Sequence, residues 1–343
     1  RGLGDVYKRQ MKGFNNKFKD FPDYILGITN EIWEKRGIET LYDYYSENIP
    51  VRSPEALVIG NQNVIDATRA TLSEFPDREL LGEDVIWSGS PEEGMLSSHR
   101  ILSTATHNGN GVFGKATGKR LVYRVIADCH AINNQINDEW LVRDQGSIVK
   151  QLGWDPREYA KDLIIKEHVS KSNVTPFNPK IDVEGPYKGK GNNNSWGIKY
   201  ENNLISLMHT DYLAIEKNYD RAVHTEYAGG LTGHSYSSVK NFWKNLRDAF
   251  PNSIFTIHHR IGREDPFMPP RAAIRWSLNG KHEGDGVFGK PSNAEVYVFG
   301  ISHVEFGPRG IRREYSLYDE VAIWKQILSV SYTHLTLPTK RIV

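Results

Sequence analysis

The chain has 343 residues, 38% hydrophobic and 11% aromatic, with a formal charge of +1 and a single cysteine, Cys129. That length reads as two domains with enough apolar residues for two modest cores. No apolar run reaches the eighteen or so residues of a membrane span, no basic stripe points to nucleic acid, and one cysteine excludes an internal disulfide or a cysteine-rich metal site. A reducing, cytoplasmic setting is the expectation.

In chain order, residues 1–10 and 330–343 back-translate without strain into sequencing-library adapter sequence, and are set apart from fold reasoning as tails. They carry three basic and one acidic group, and two basic groups, so the remainder has a charge of 1 − 2 − 2 = −3. Ile25, Ile28 and Ile32 recur at helical spacing after Phe21-Pro22-Asp23, with Gly37 as a stop. A short helix through Leu41, Tyr44 and Tyr45 follows, then an edge strand at Leu57-Val58-Ile59. Asn61 or Asn63 is expected to cap a third helix that buries Val64, Ile65, Thr68 and Leu72.

Strands are predicted over Leu80 to Trp87, Leu96 to Thr106, Leu121 to His130, and Trp140 to Gln151. In the third of these, Leu121, Tyr123, Val125, Ala127 and Cys129 share one face; Val122, Arg124, Ile126, Asp128 and His130 share the other. A helix from Asp155 to Glu167 leads into a Pro-, Gly- and Asn-rich stretch that reads as a solvated, mobile linker.

The stretch His107-Asn108-Gly109-Asn110-Gly111-Val112-Phe113-Gly114-Lys115 returns as His282-Glu283-Gly284-Asp285-Gly286-Val287-Phe288-Gly289-Lys290, an offset of 282 − 107 = 175. The same offset carries Phe75-Pro76 to Phe250-Pro251, Glu139 to Glu314, Asp144 to Asp319 and Gln151 to Gln326. Two domains of one ancestry are implied, at 11–153 and 201–329, with 154–200 as helix plus linker. In the second, Leu204, Leu207, Met208, Tyr212 and Ile215 are expected on one helix. Helices followed by a run of antiparallel strands define an α+β class.

Three helices, then a sheet ending in Glu139-Trp140-Leu141-Val142-Arg143-Asp144 and Gln151-Leu152-Gly153, with the Gly114-Lys115-Ala116-Thr117-Gly118 turn, resemble the SnoaL-like polyketide cyclases of the NTF2-like superfamily. The resemblance covers both copies and is weaker in the second, where Tyr315 replaces the tryptophan. It implies two cone-shaped domains, each a curved sheet around an apolar pocket. It also implies cofactor-independent acid/base chemistry, an aldol-type cyclisation or isomerisation, on a small hydrophobic or carboxylated molecule. The family's aspartate lies on the strand before the hairpin, where Asp128 is the only acid. Asn133-Asn134-Gln135-Ile136 departs from the family's usual Asp-Gly-Lys-Ile hairpin, and Asp128 falls one residue nearer to it than the pattern requires.

Asp128 and His130 share a face, and the offset pairs them with His303 and Glu305, which share a face with Tyr297, Phe299 and Ile301. These four are the candidate catalytic residues if that face lines a pocket, because burial would shift their pKa values toward neutrality. The alternative is a satisfied polar pair, with Arg124 or Arg143 as partner. Candidate substrate-binding residues are Trp87, His99, His107, Arg143, Arg275, Tyr297 and Phe299. His258-His259 with His303 and Glu305 is a weak metal pattern, since adjacent strand residues point opposite ways; no metal or cofactor is expected. Two further functions stay open. One is a non-catalytic ligand-binding or dimerising module. The other is an epoxide hydrolase, built on Asp128, Arg143 and Asp84, or a ketosteroid-isomerase-like enzyme. The expected partner is a small molecule, not a membrane or a nucleic acid, with the two copies forming a pseudo-dimer within the chain and further homo-oligomerisation left open.

Overall fold

Residues 11–172 and 174–335 are described by the computed structural model, with side chains through Ser329. The adapter reading of residues 1–10 lies outside these residues; of 330–343, only the backbone to Leu335 is described, as the end of a helix.

Helix α1 (Phe21–Thr29) begins where the Asp20 carboxylate accepts from the Asp23 amide, with Pro22 in the first turn. It runs into a π-turn at Asn30–Glu34, which keeps Ile32 buried beside Ile25 and Ile28. Helix α2 (Leu41–Tyr44) and the short strands β1 (Pro50–Arg52) and β2 (Leu57–Ile59) precede α3 (Asn61–Glu74). No asparagine caps α3. Gly60, at φ 89°, occupies the N-cap, and Asn61 donates instead to the Tyr45 carbonyl at 3.1 Å.

Strands β3 (Glu79–Ser90), β4 (Gly94–Thr106), β5 (Arg120–Ile132) and β6 (Gln135–Arg143) form an antiparallel meander, and β1 joins β6 in parallel. The sheet order is β2-β1-β6-β5-β4-β3. The last strand stops at Arg143 rather than running to Gln151. Asp144 accepts from the Ser147 amide at 3.0 Å and starts α4 (Gln145–Leu152), which buries Ile148, Val149 and Leu152 before Gly153 ends it at φ 92°.

After α5 (Pro156–Ser170) the order repeats: α6 (Ser195–Met208), α7 (Leu213–Asn218), β7 (Tyr219–Tyr227), β8 (Leu231–His234), α8 (Ser235–Ala249), β9 (Ile254–Arg263), β10 (Arg271–Lys281), β11 (Glu295–Gly307), β12 (Gly310–Tyr318) and α9 (Glu320–Leu335). The expected helix through Leu204 and Ile215 is two helices, broken at Thr210, which takes φ 63°. The second sheet has the order β8-β7-β12-β11-β10-β9, the topology of the first. The fold is α+β: two six-stranded mixed sheets with helices, one sheet to each copy.

Both faces of each sheet are covered. On β5, Tyr123, Val125, Ala127 and Cys129 face the helices of their own copy. Ile126 points the other way and packs with Val142 against Tyr297, Phe299, Ile301 and Leu317 of the second sheet. The linker is pinned along this seam. Phe177 is buried in the same cluster, Arg52 donates to Asp182 and to the Val183 carbonyl, and Tyr187 donates to or accepts from His259 at 2.7 Å. Helix α9 packs on α5, where Lys325 donates to Glu167 and to the Val174 carbonyl, each at 2.6 Å. Among the described residues no helix is long and apolar enough to cross a membrane.

Candidate functional site

The four residues expected to be catalytic lie in the seam between the sheets, and none of them lines the cavity described below. Asp128 accepts from Arg275 at 3.1 Å, and that guanidinium stacks 3.6 Å from the Trp140 ring centre. His303 meets Ser98 at 2.7 Å; Arg100 reaches Glu305 at 3.3 Å and lies 3.7 Å over the Tyr315 ring. His130 bonds Asn137 at 2.6 Å and packs against Tyr187. Burial raises the Asp128 pKa against the opposing pull of Arg275, and burial holds His303 well below the ordinary imidazole value. The correction has a simple cause. Asp128 and His130 sit on the even-numbered face of β5, which the second copy covers. Arg275, Tyr297 and Phe299, expected to bind substrate, belong to the same seam.

Trp87 packs edge-on against Phe21 and under the Arg263 guanidinium at 4.0 Å. His107 is a clamp for the repeated turn: it bonds Glu74 and Thr117, each at 3.1 Å, while Glu74 also accepts from the Val112 and Phe113 amides. His99 and Arg143 are the two expected binding residues that line a cavity.

That cavity, of about 770 Å³, lies between the inner face of the first sheet and helices α1 and α3. Its size is that of small-molecule sites. Helices α5 and α9 rim it, so Asp319, Val321, Ala322 and Lys325 of the second copy take part in its wall. The wall is largely apolar, including Ile25, Ile28, Leu80, Ile101 and Leu141, with a minority of polar residues among its lining.

Three buried acids line this cavity, Glu74, Glu139 and Asp319, and of these Glu139 has an oxygen without a partner. Burial pushes its carboxyl up to about 7, offset in part by hydrogen bonds to Tyr45 and Cys129, and its Oε2 has no protein partner. His99 is driven down to about 4 by burial and then by Arg100, so its ring is neutral, and its Nε2 is unpartnered. At the other end stand Arg78, Tyr123 and Arg143. Burial alone would raise the Tyr123 phenol; the charges of Arg78 and Arg143, with hydrogen bonds from Ser103 and Arg78, outweigh it and bring the pKa below the ordinary value. A neutral imidazole donor, a carboxylate that titrates near neutrality and a cationic end are the groups that proton transfer beside a carbonyl uses.

The second copy holds the same acid in a filled interior. Glu314 accepts from Tyr200 at 2.7 Å, Tyr219 at 3.0 Å, Tyr227 and Trp243. Tyr219 is the counterpart of Tyr45, since Tyr45 bridges Ile136 as Tyr219 pairs with Ile311. By the 175-residue offset, Thr68 becomes Trp243 and Ile101 becomes Trp276, both fully buried. Trp276 donates to Ser302 at 2.8 Å and lies so close to Gly300 that a Cβ there would meet its ring at 2.2 Å. Arg78, His99, Tyr123 and Arg143 become Ser253, Ile274, Val298 and Tyr318. The smaller side chains and the polar groups are replaced together.

Sequence reasoning passed over Glu139, Tyr45, Arg78 and Tyr123 as site residues. The signal for Glu139 was its recurrence at Glu314 and its place on the same strand face as Leu141 and Arg143.

A model of the SnoaL-like polyketide cyclase family matches residues 23–152. No curated protein matches the chain. Among solved structures, IdmH from Streptomyces antibioticus is 18% identical, covering 38% of this chain and 97% of its own, with a TM-score of 0.34. A SnoaL-like polyketide cyclase from Agrobacterium tumefaciens is 21% identical over 39% and 98%, TM-score 0.31. TsrD from Streptomyces laurentii is 17% identical over 38% and 93%, TM-score 0.33. The match to the SnoaL-like polyketide cyclase family thus lies within the first copy of this tandem chain, over residues 23–152.

Proposed function

We propose that the first copy is a cofactor-independent enzyme that moves a proton beside a carbonyl of a small, largely apolar molecule, leading to aldol-type ring closure or isomerisation. The observation that carries this is Glu139: a buried carboxyl on an open cavity, brought to about 7, whose counterpart Glu314 is saturated by four donors in a filled interior. A base with a pKa near the working pH is the most effective one.

In this reading the Glu139 carboxylate takes a proton from the carbon next to the carbonyl. The C–H electron pair moves into the C–C bond, and the carbonyl oxygen becomes an enolate. The neutral His99 ring, in its Nε2–H tautomer, donates to that oxygen. The enolate carbon then attacks a second carbonyl of the same molecule, and Glu139 returns its proton to the new alkoxide; in the isomerisation it returns it to another carbon. The second copy works as a structural pseudo-dimer partner that covers the back of the sheet and rims the cavity with α9.

The test is deuterium exchange from solvent into β-keto ester and β-keto acid probes, followed by NMR. Glu139→Gln should slow exchange by roughly 10²–10⁴-fold, while Asp128→Asn should not. Equal exchange by wild type and Glu139→Gln would overturn the assignment.

A further inference from the structure

We infer that the cavity takes an anionic ligand: an elongated carboxylate with an apolar body, its carboxylate held between Arg78, Arg143 and the Tyr123 hydroxyl, its far end at Glu139. This rests on the first copy's cavity being the working site, and it adds the substrate class.

Two cations face that end of the cavity without an anion. Arg78 is 5% exposed, and its side chain meets hydroxyls rather than a carboxylate: Ser103, 3.3 Å from its Nε, and the Tyr123 phenol. Arg143 is half-buried, with an unpartnered Nε. Among the described residues neither forms an ion pair with a carboxylate, and each lies within the other's field, since Arg143 helps to lower the Arg78 pKa. A buried guanidinium without a counter-ion is strongly disfavoured. The arrangement is tolerated if an anion completes it.

The charges track the cavity rather than the fold. In the second copy, where Trp243 and Trp276 fill the interior, the same positions are Ser253, Tyr318 and Val298. The topology forms without them, so the guanidinium pair is no requirement of the architecture. The other acids of the cavity already have partners: Glu55 accepts from Gln145, Glu74 from His107 and two backbone amides, Glu167 from Lys325, and Asp319 from the Val321 and Ala322 amides.

Strand geometry sets the length of the ligand. Glu139 and Arg143 share one face of β6, four residues apart, which is about 13 Å at a strand rise of roughly 3.3 Å. Ala127 pairs with both Leu141 and His99, so His99 lies across the sheet at the midpoint. A carboxylate at Arg143 therefore places carbon atoms several bonds away beside His99 and Glu139.

The full chain is titrated by calorimetry at pH 8 with 6-phenylhexanoate and with its uncharged amide. Wild type should bind the carboxylate roughly tenfold or more tightly than the amide, as a charge-assisted hydrogen bond predicts. Arg143→Gln and Arg78→Gln should each bring the ratio close to one, with folding checked by thermal melting. Glu139→Gln should keep the preference, so loss of exchange with retained preference separates the base from the anion clamp. Equal affinity for acid and amide in wild type, no carboxylate binding at millimolar concentration, or a preference that survives Arg143→Gln would each overturn the inference.

Discussion

Replacing Glu139 by glutamine should stabilise the protein, and should do so only above pH 4.5. The carboxyl is 6% exposed, and burial lifts it from 4.5 to about 7. Between these values the folded state keeps a proton that the unfolded chain has released. Stability is therefore complete below pH 4.5, falls as pH rises through the window, and is level again above 7. A shift of 7 − 4.5 = 2.5 at about 1.36 kcal/mol per unit gives about 3 kcal/mol lost by pH 8.5. Glutamine mimics the protonated acid and removes that loss. Asp319, raised to about 8 by burial, falls in the same direction but is common to both proteins and cancels in the comparison. Urea unfolding of wild type and Glu139→Gln at pH 4 and pH 8.5 measures the difference directly. The variant's advantage should grow by about 3 kcal/mol, or roughly 4 °C in Tm for a chain of this length. If the two proteins change in parallel with pH, Glu139 titrates as an ordinary acid, and its role as a base near neutrality fails with it.

Three other outcomes follow from the same geometry. Ile101→Trp with Val125→Gly and Ala127→Ser copies the Trp276, Gly300 and Ser302 plug into the first copy; calorimetry should show binding of 6-phenylhexanoate abolished, with Tm unchanged or raised. Trp243→Ala should cost about 3–5 kcal/mol in urea unfolding, the usual range for a buried large aromatic, with ligand affinity unchanged. Asp128→Ala leaves the buried Arg275 guanidinium without its acid and should cost about 3–5 kcal/mol, while deuterium exchange into the β-keto probes continues at the wild-type rate in protein that remains folded.

The duplication, the α+β class and the strand faces were legible because each is a pattern along the chain: a fixed 175-residue offset, helical spacing in Ile25, Ile28 and Ile32, and alternation on β5. The helix after Arg143 was missed because Ile148 and Val149 suit a strand, and what turns them is local, the Asp144 carboxylate on the Ser147 amide. Asp128 was misplaced for a different reason. Alternation separates two faces of a strand but says which is solvated only when one of them is. Here one face meets the helices and the other meets the second sheet, so polar residues on a buried face looked like a site when they form a seam. The cavity itself has no signature along the chain. Thr68 and Ile101 leave room and Trp243 and Trp276 fill it, but only the three-dimensional packing of sheet against helix shows that these pairs occupy the same space, and hence that Glu139 lines a cavity while Glu314 is enclosed by tyrosines and tryptophan.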